Sequence, residues 1–302
     1  MIQKKVLLLM GGPSKERTIS NSTGKACFKS LKSLGYEVIK IDPKNKNLNL
    51  KKYNADLAFN ALHGQFGEDG TIQKLLEKQR IPYTHSGPRS SELAMNKLKS
   101  KRIFIKNNID TPKFRIITKL GDLNNKISKK KFVLKPINEG SSVGVVIYDN
   151  YKKINYNKIT NLLKRYKKLL QEEYIEGKEI QVAVMGKKAI GAIEIRPLRK
   201  FYDFKAKYSF KAKTNHIMPA KISKNLYKKI LKIALKAHSV MNCRGITRSD
   251  FKVTPSSEIY ILETNTQPGM TKLSLVPEIA LYNGITFDNL VKWIIQDASI
   301  KR

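Results

Sequence analysis

Val6-Leu7-Leu8-Leu9-Met10-Gly11-Gly12, followed by a helical pattern over 20–34 that Gly35 closes, decides the fold class of this chain. An unbroken apolar run leading straight into a glycine pair reads as a buried first strand with a tight turn behind it. Further strands are expected over 36–41 and 56–61. Strand, turn and helix in this alternation predict a parallel α/β sheet, whose ligands collect beyond the carboxyl ends of its strands. The turns after Met10 and Ala61 should therefore face a site.

Outward from that start, the pattern continues over 96–174 with a helix, a strand at 132–135, a glycine-rich loop at 139–144 and a lysine-rich helix around 155–168 with a solvated face. The alternation of Ile180, Val182 and Val184 predicts a half-exposed strand, and another runs over 189–195. The polar and aromatic segment 197–219 interrupts regular structure for long enough to be a lid or binding loop. A helix over 223–241 carries Leu226, Ile230, Ala234, Ala237 and Met241 on one side. Strands at 245–253 and 258–265 flank the turn Thr254-Pro255-Ser256-Ser257 and form a hairpin.

Composition narrows the function. With 302 residues, 41% of them hydrophobic, the chain can build two or three domains with real cores and is not a disordered polymer. Against 24 Asp and Glu stand 59 Lys and Arg, a formal net charge of +35 that attracts anions at long range. These basic residues are spread along the whole chain, with no interleaved aromatic motif or basic tail, which argues against nucleic acid as a partner. A nucleoside triphosphate would be steered in by the same field. Cys27 and Cys243 are far apart in sequence and in no CxxC pair, so the cytoplasm is the default compartment. The apolar run at 6–10 is too short for a signal peptide, and no stretch approaches the ~20 residues of a membrane span.

Three constellations carry chemistry. In the hairpin, side chains two apart share a face, so Arg248 lies beside Asp250 and Glu263 beside Asn265. Two carboxylates this close repel unless a cation compensates, and oxygen ligands without His or Cys select magnesium; a surface hairpin with simple Arg–Asp pairing is the plain alternative. The loop Glu139-Gly140-Ser141-Ser142-Val143-Gly144 follows Lys135 at a strand end, where backbone N–H groups can close over phosphates or merely turn the chain. The run from His63 to Gly70 sits immediately after a strand, with Asp69 placed to cap the next helix and His63 expected as a hydrogen-bonded structural histidine.

Taken in order, Gly11–Arg17, His63–Gly70, Pro82-Tyr83-Thr84, Met95-Asn96-Lys97, 132–136, 139–144, 172–177, Phe201-Tyr202-Asp203, Ala206-Lys207-Tyr208, Arg248-Ser249-Asp250 and 263–271 resemble the D-alanine–D-alanine ligases over almost the whole chain. The resemblance implies an α/β (α+β) three-domain ATP-grasp fold, with an N-terminal parallel-sheet domain at 1–95, a central domain at 96–178 and a C-terminal catalytic domain at 179–302. It implies an enzyme that phosphorylates one D-alanine carboxylate with ATP and lets the amine of a second D-alanine displace the phosphate, for peptidoglycan precursors. A cytoplasmic homodimer with two magnesium ions, for which manganese can substitute, is implied as well.

Carried onto matching positions, Asp250, Glu263 and Asn265 would hold magnesium, while Lys97, Lys135 and Lys207 neutralise phosphates. Glu172, Glu173, Ile175 and Glu179 would line adenine and ribose, the bland alternative for the first two being solvent exposure. Glu16 would take the ammonium of the first D-alanine, Ser274 and Leu275 the carboxylate of the second, with His63 and Gly269 beside them. Arg248 would stabilise the oxyanion and the transferring phosphoryl group, and Ser141 and Tyr208 would link with Glu16 to shut the lid. Relatives that make an ester with D-lactate carry Phe at the Tyr208 position, so Tyr points to D-alanine as second substrate. Asn96, Glu173 and His216 depart from the family pattern of Asp, Lys and Tyr. These departures bear on nucleotide affinity and lid movement rather than on reaction type.

Overall fold

A computed structural model describes residues 4–43, 48–196, 214–271 and 274–302. The first unit runs β1 (Lys5–Leu9), α1 (Arg17–Ser33), β2 (Glu37–Ile41), β3 (Leu57–Asn60), α2 (Thr71–Lys78) and α3 (Pro88–Met95). Its sheet has the order β2-β1-β3, all parallel, as the opening stretch predicts. Helix α1 begins three residues before the expected span, because Arg17 and Thr18 are polar and exposed and the buried Ile19 alone sets no apolar period. The turn ahead of it needs glycine: Gly11 has φ +86°, and a Cβ there would stand 2.7 Å from the Asp42 carboxylate.

Next come α4 (Lys97–Lys106), β4 (Phe114–Ile117), β5 (Phe132–Pro136), β6 (Val146–Tyr148), α5 (Tyr156–Tyr166) and β7 (Leu169–Glu173), with an antiparallel sheet ordered β4-β7-β5-β6. Asn96 caps α4 by accepting from the Lys99 N–H at 2.9 Å, so this departure keeps the capping oxygen an aspartate would supply. Helix α5 buries only Ile159 fully, consistent with its solvated, lysine-rich face.

The last unit contains β8 (Lys178–Met185), β9 (Lys188–Arg196), β10 (Asn215–Ile217), α6 (Lys224–Val240), β11 (Ile246–Val253), β12 (Ile259–Asn265), α7 (Leu275–Tyr282) and α8 (Phe287–Gln296). Its antiparallel sheet has the order β10-β9-β8-β11-β12, and the hairpin turn falls where the sequence puts it. Strand β8 corrects the half-exposed expectation, because all of Ile180, Gln181, Val182, Ala183 and Val184 are buried. Ile180, Val182 and Val184 pack under α6, whereas Ala183 joins a second apolar layer with α7 and α8. Periodicity sees the larger side chains of one face and misses a small residue covered on the other.

That second layer also contains Val6, Leu8 and Phe59 from the parallel sheet and Ile190, Ile193 and Ile279 from the last unit, so the two units share one core. The four-stranded sheet has its own cluster, centred on Phe132, Leu134, Ile159 and Leu169. Helix α4 packs its Phe104 into the core under α6. No helix among the described residues is long and apolar enough to cross a membrane.

Candidate active site

The ends of β1 and β3, the loop after β5 and the hairpin β11–β12 surround one cleft with two lobes, enclosing about 950 Å³ and 860 Å³ of space open to solvent. Lys97, Glu139, Gly140, Ser141 and Glu263 line both lobes and make them continuous. Glu16, His63, Arg248, Asn265, Gly269, Ser274 and Leu275 line the first. Lys135, Glu172, Glu173, Ile175, Glu179 and Asp250 line the second. The candidate site residues from Glu16 to Leu275 are thus brought together, apart from Lys207 and Tyr208, which lie outside the described residues with the Phe201-Tyr202-Asp203 motif, while Pro82-Tyr83-Thr84 lines neither lobe.

The hairpin stands where the lobes meet. Arg248 pairs across the strands with Asn265 and Asp250 with Glu263, which puts all four on one face. The Arg248 guanidinium grips Asp250 with Nε donating to Oδ1 at 2.8 Å and Nη2 to Oδ2 at 3.2 Å. The register then slips, so that Phe251 faces Ile261 and Leu262 is the extra residue of a bulge, turned into the wall of the second lobe. Among the described residues no group of three or more His, Cys, Asp or Glu side chains suits a metal. The oxygen set is two carboxylates and the Asn265 amide, donors fitting a hard cation that takes its remaining ligands from phosphate or water.

The glycine-rich loop ties the lobes to α1. Ser141 Oγ donates to Glu16 Oε2 at 2.6 Å, across 125 residues of sequence. A Cβ on Gly140 would come within 2.7 Å of Glu16 Oε1, so a side chain there would displace the Glu16 carboxylate. Lys97 Nζ donates to the Glu139 carbonyl at 2.6 Å and lies 3.4 Å from Glu263, while the Tyr166 hydroxyl donates to the Glu139 carboxylate at 2.9 Å. Ser141 and Ser142 sit at φ +48° and +59°, left-handed conformations that side-chain-bearing residues hold only when contacts fix them.

His63 is buried with Nδ1 2.8 Å from Glu68 and Nε2 3.0 Å from Thr23 Oγ1, the hydrogen-bonded state read from its lack of metal context. Asp69 bonds the backbone N–H groups of Phe66 and Thr71 and so shapes the entry to α2. Ser274 precedes the first turn of α7, and its Oγ accepts from Thr271 N at 2.9 Å. His216 on β10 lies 2.6 Å from Glu278 on α7, so this departure joins β10 to the helix beside the first lobe, while most of the segment expected as a lid, 197–213, lies outside the described residues.

Glu172 overturns the solvent-exposed alternative. It is 2% exposed, with Lys101 Nζ 2.8 Å from Oε1 and Lys135 Nζ 2.6 Å from Oε2. Burial alone would raise its pKa, but the two ammonium groups outweigh burial and hold it below the usual carboxylate range. Glu173, by contrast, is half-buried at the lobe wall. Glu179 pairs with Lys252 at 3.2 Å.

Sequence reading missed Lys101, Leu262 and Gln181. Lys101 had a signal, since it follows Lys97 by one helical turn and shares its face. Gln181, paired with Asp250 across β8 and β11, lines the first lobe with both amide atoms buried and no hydrogen-bond partner among the described residues. Its neighbours on β8 are apolar, so nothing local marks it out.

Two family models match the chain, "D-ala D-ala ligase N-terminus" over residues 42–86 and "D-ala D-ala ligase C-terminus" over residues 106–296. A curated D-alanine–D-alanine ligase of Pelagibacter ubique (strain HTCC1062) is 53% identical over 99% of both chains. The crystal structure of a D-alanine–D-alanine ligase from Bacillus anthracis is similar with a TM-score of 0.86 at 32% identity, covering 97% of each chain. The structure of that organism's ligase complexed with ATP is similar with a TM-score of 0.81 at 29% identity and the same coverage.

Proposed function

Because the chain belongs to the D-alanine–D-alanine ligase family and has its ATP-grasp fold, we propose that it joins two D-alanine molecules to D-alanyl-D-alanine for peptidoglycan precursors, using ATP and releasing ADP and phosphate. One observation carries the reading: a single cleft joins the nucleotide-sized second lobe to the first lobe across Arg248, Asp250, Glu263 and Asn265. The division at 1–95, 96–178 and 179–302 goes with it, supported by one sheet falling in each part.

In this reading the second lobe holds ATP, with Ile175, Glu172 and Glu173 at the adenine, Glu179 at the ribose, and Lys97, Lys135 and Lys207 at the phosphates. Asp250, Glu263 and Asn265 would bind two magnesium ions, or manganese in their place, and such ions screen charge between phosphate oxygens. Glu16 receives the ammonium of the first D-alanine beside His63. The N-terminus of α7, with Ser274 and Leu275, receives the carboxylate of the second next to Gly269, where helix N–H groups favour an anion.

The carboxylate of the first D-alanine takes the γ-phosphoryl group, forming an acyl phosphate. The neutral amine of the second then attacks the carbonyl carbon, and phosphate leaves as the amide forms. Arg248, its guanidinium oriented by Asp250, stabilises the negative charge in both transition states. The Ser141–Glu16 bond holds the loop over the intermediate, and Tyr208 extends that closure, because water would otherwise hydrolyse it. Free, buried Cys27 and Cys243 suit a cytoplasmic enzyme, and the exposed Leu281 and Tyr282 on α7 offer apolar surface to a homodimer.

Phosphate release with ATP and magnesium, compared for D-alanine, L-alanine and D-alanine with D-lactate, tests the assignment. Release confined to D-alanine, with dipeptide as product, supports it. Release with another amino acid and none with D-alanine would assign the cleft to a different carboxylate–amine ligase.

A further inference from the structure

We propose that Lys101 is a positioning residue for the nucleotide phosphates, cancelling the charge of Glu172 so that the ammonium of Lys135 remains available to phosphate. The inference rests on the nucleotide reading of the second lobe and adds to it a residue that touches no ligand.

The geometry is a buried row of charges. Lys101 is fully buried on α4, with Nζ 2.8 Å from Glu172 Oε1, 2.5 Å from Thr111 Oγ1, and 5.4 Å from the centre of the Phe114 ring. Glu172 on β7 receives it on one oxygen and Lys135 of β5 on the other. Of the three, Glu172 and Lys135 line the second lobe, and Lys101 does not. A row of two ammonium groups and one carboxylate presents one net positive charge, and Lys135 is its cleft-side end.

Without Lys101 the row is neutral. Among the described residues Glu172 would then have Lys135 as its sole buried counter-ion, and an approaching phosphate would compete with a 2.6 Å ion pair for that ammonium. Burying a lysine completely is costly, and the cost shows: burial first, with Lys135 adding to it and Glu172 and Glu263 opposing, brings the Lys101 pKa down to about 8. At neutral pH the group is still largely protonated, as cancelling Glu172 requires.

A clamp that merely holds α4 to β7 predicts something different, because it would disturb every ligand of the lobe alike. Calorimetric binding of ATP and of adenosine, with magnesium and without amino acid, separates the two. In Lys101→Met the ATP Kd should rise about ten- to a hundredfold, the range for a lost charged hydrogen bond, with the adenosine Kd within about twofold. In the charge-balanced pair Lys101→Met with Glu172→Gln, the ratio of ATP to adenosine affinity should return to the parent's, whatever Glu172 itself contributes to adenine.

Equal losses for both ligands in Lys101→Met, an unchanged ATP Kd, or a double variant whose ratio stays low would each overturn the role. If Lys101→Met alone does not fold, the double variant decides by the same ratio. A parent that binds adenosine no more weakly than ATP would instead reject the phosphate reading of the lobe.

Discussion

Replacing Ser141 probes the junction between the glycine-rich loop and the first unit. Its hydroxyl donates to a largely buried carboxylate at 2.6 Å, a charge-assisted bond of about 1.5–3 kcal/mol. Opposing this is the left-handed backbone at φ +48°, which costs a side-chain-bearing residue about 1–2 kcal/mol. Ser141→Ala loses the bond and keeps the strain, so kcat/KM for D-alanine should fall about ten- to 150-fold. Ser141→Gly loses the same bond but relieves the strain in the closed loop, so it should retain about five- to thirtyfold more activity than the alanine variant. Coupled phosphate release at limiting D-alanine and saturating ATP measures both. An alanine variant as active as the parent, or a glycine variant worse than alanine, would refute the balance of bond against backbone.

Other outcomes follow from the same geometry. Arg248→Ala should lower kcat about a hundred- to a thousandfold, the range for a lost oxyanion donor. Because Asp250 and Glu263 would then face each other without the guanidinium, added magnesium should raise the melting temperature of this variant more than that of the parent. Gln181→Met, close in shape and without the unpartnered amide, should stabilise the free protein by about 1–3 kcal/mol in urea denaturation; a lower midpoint would show that the amide is paired. His85 and His238 are held neutral, mainly by burial, with folded-state pKa values brought down to about 3 and about 4. Between pH 6.5 and those values the unfolded chain takes up protons that the folded chain refuses, so stability falls as pH drops. The loss between pH 7 and 5 should be about 2 kcal/mol per histidine, and His238→Gln should remove one share of it.

The parallel sheet, the hairpin and the glycine-rich loop were legible because each is written in contiguous residues. The opening apolar run and the offset of two between Arg248 and Asp250 need no knowledge of distant sequence. What escaped was set by partners far along the chain. Burial of Ala183 depends on α7 and α8, more than 90 residues later. Glu172 reads as a surface acid until Lys101 and Lys135 arrive from two other elements. The bulge that turns Leu262 into the second lobe is a register slip that hydrophobic alternation does not encode.

The arrangement of apolar clusters bears on how ADP departs. The parallel sheet and the last sheet are fused through common side chains, whereas the sheet of β4 to β7 keeps its own self-contained filling. Swinging that smaller body outward would tear no shared oil-like interior, so the spent nucleotide can be let go while the peptide-forming chamber on the larger body stays assembled for the next pair of amino acids. On gradual heating, amides of the smaller body should exchange with deuterium ahead of the rest.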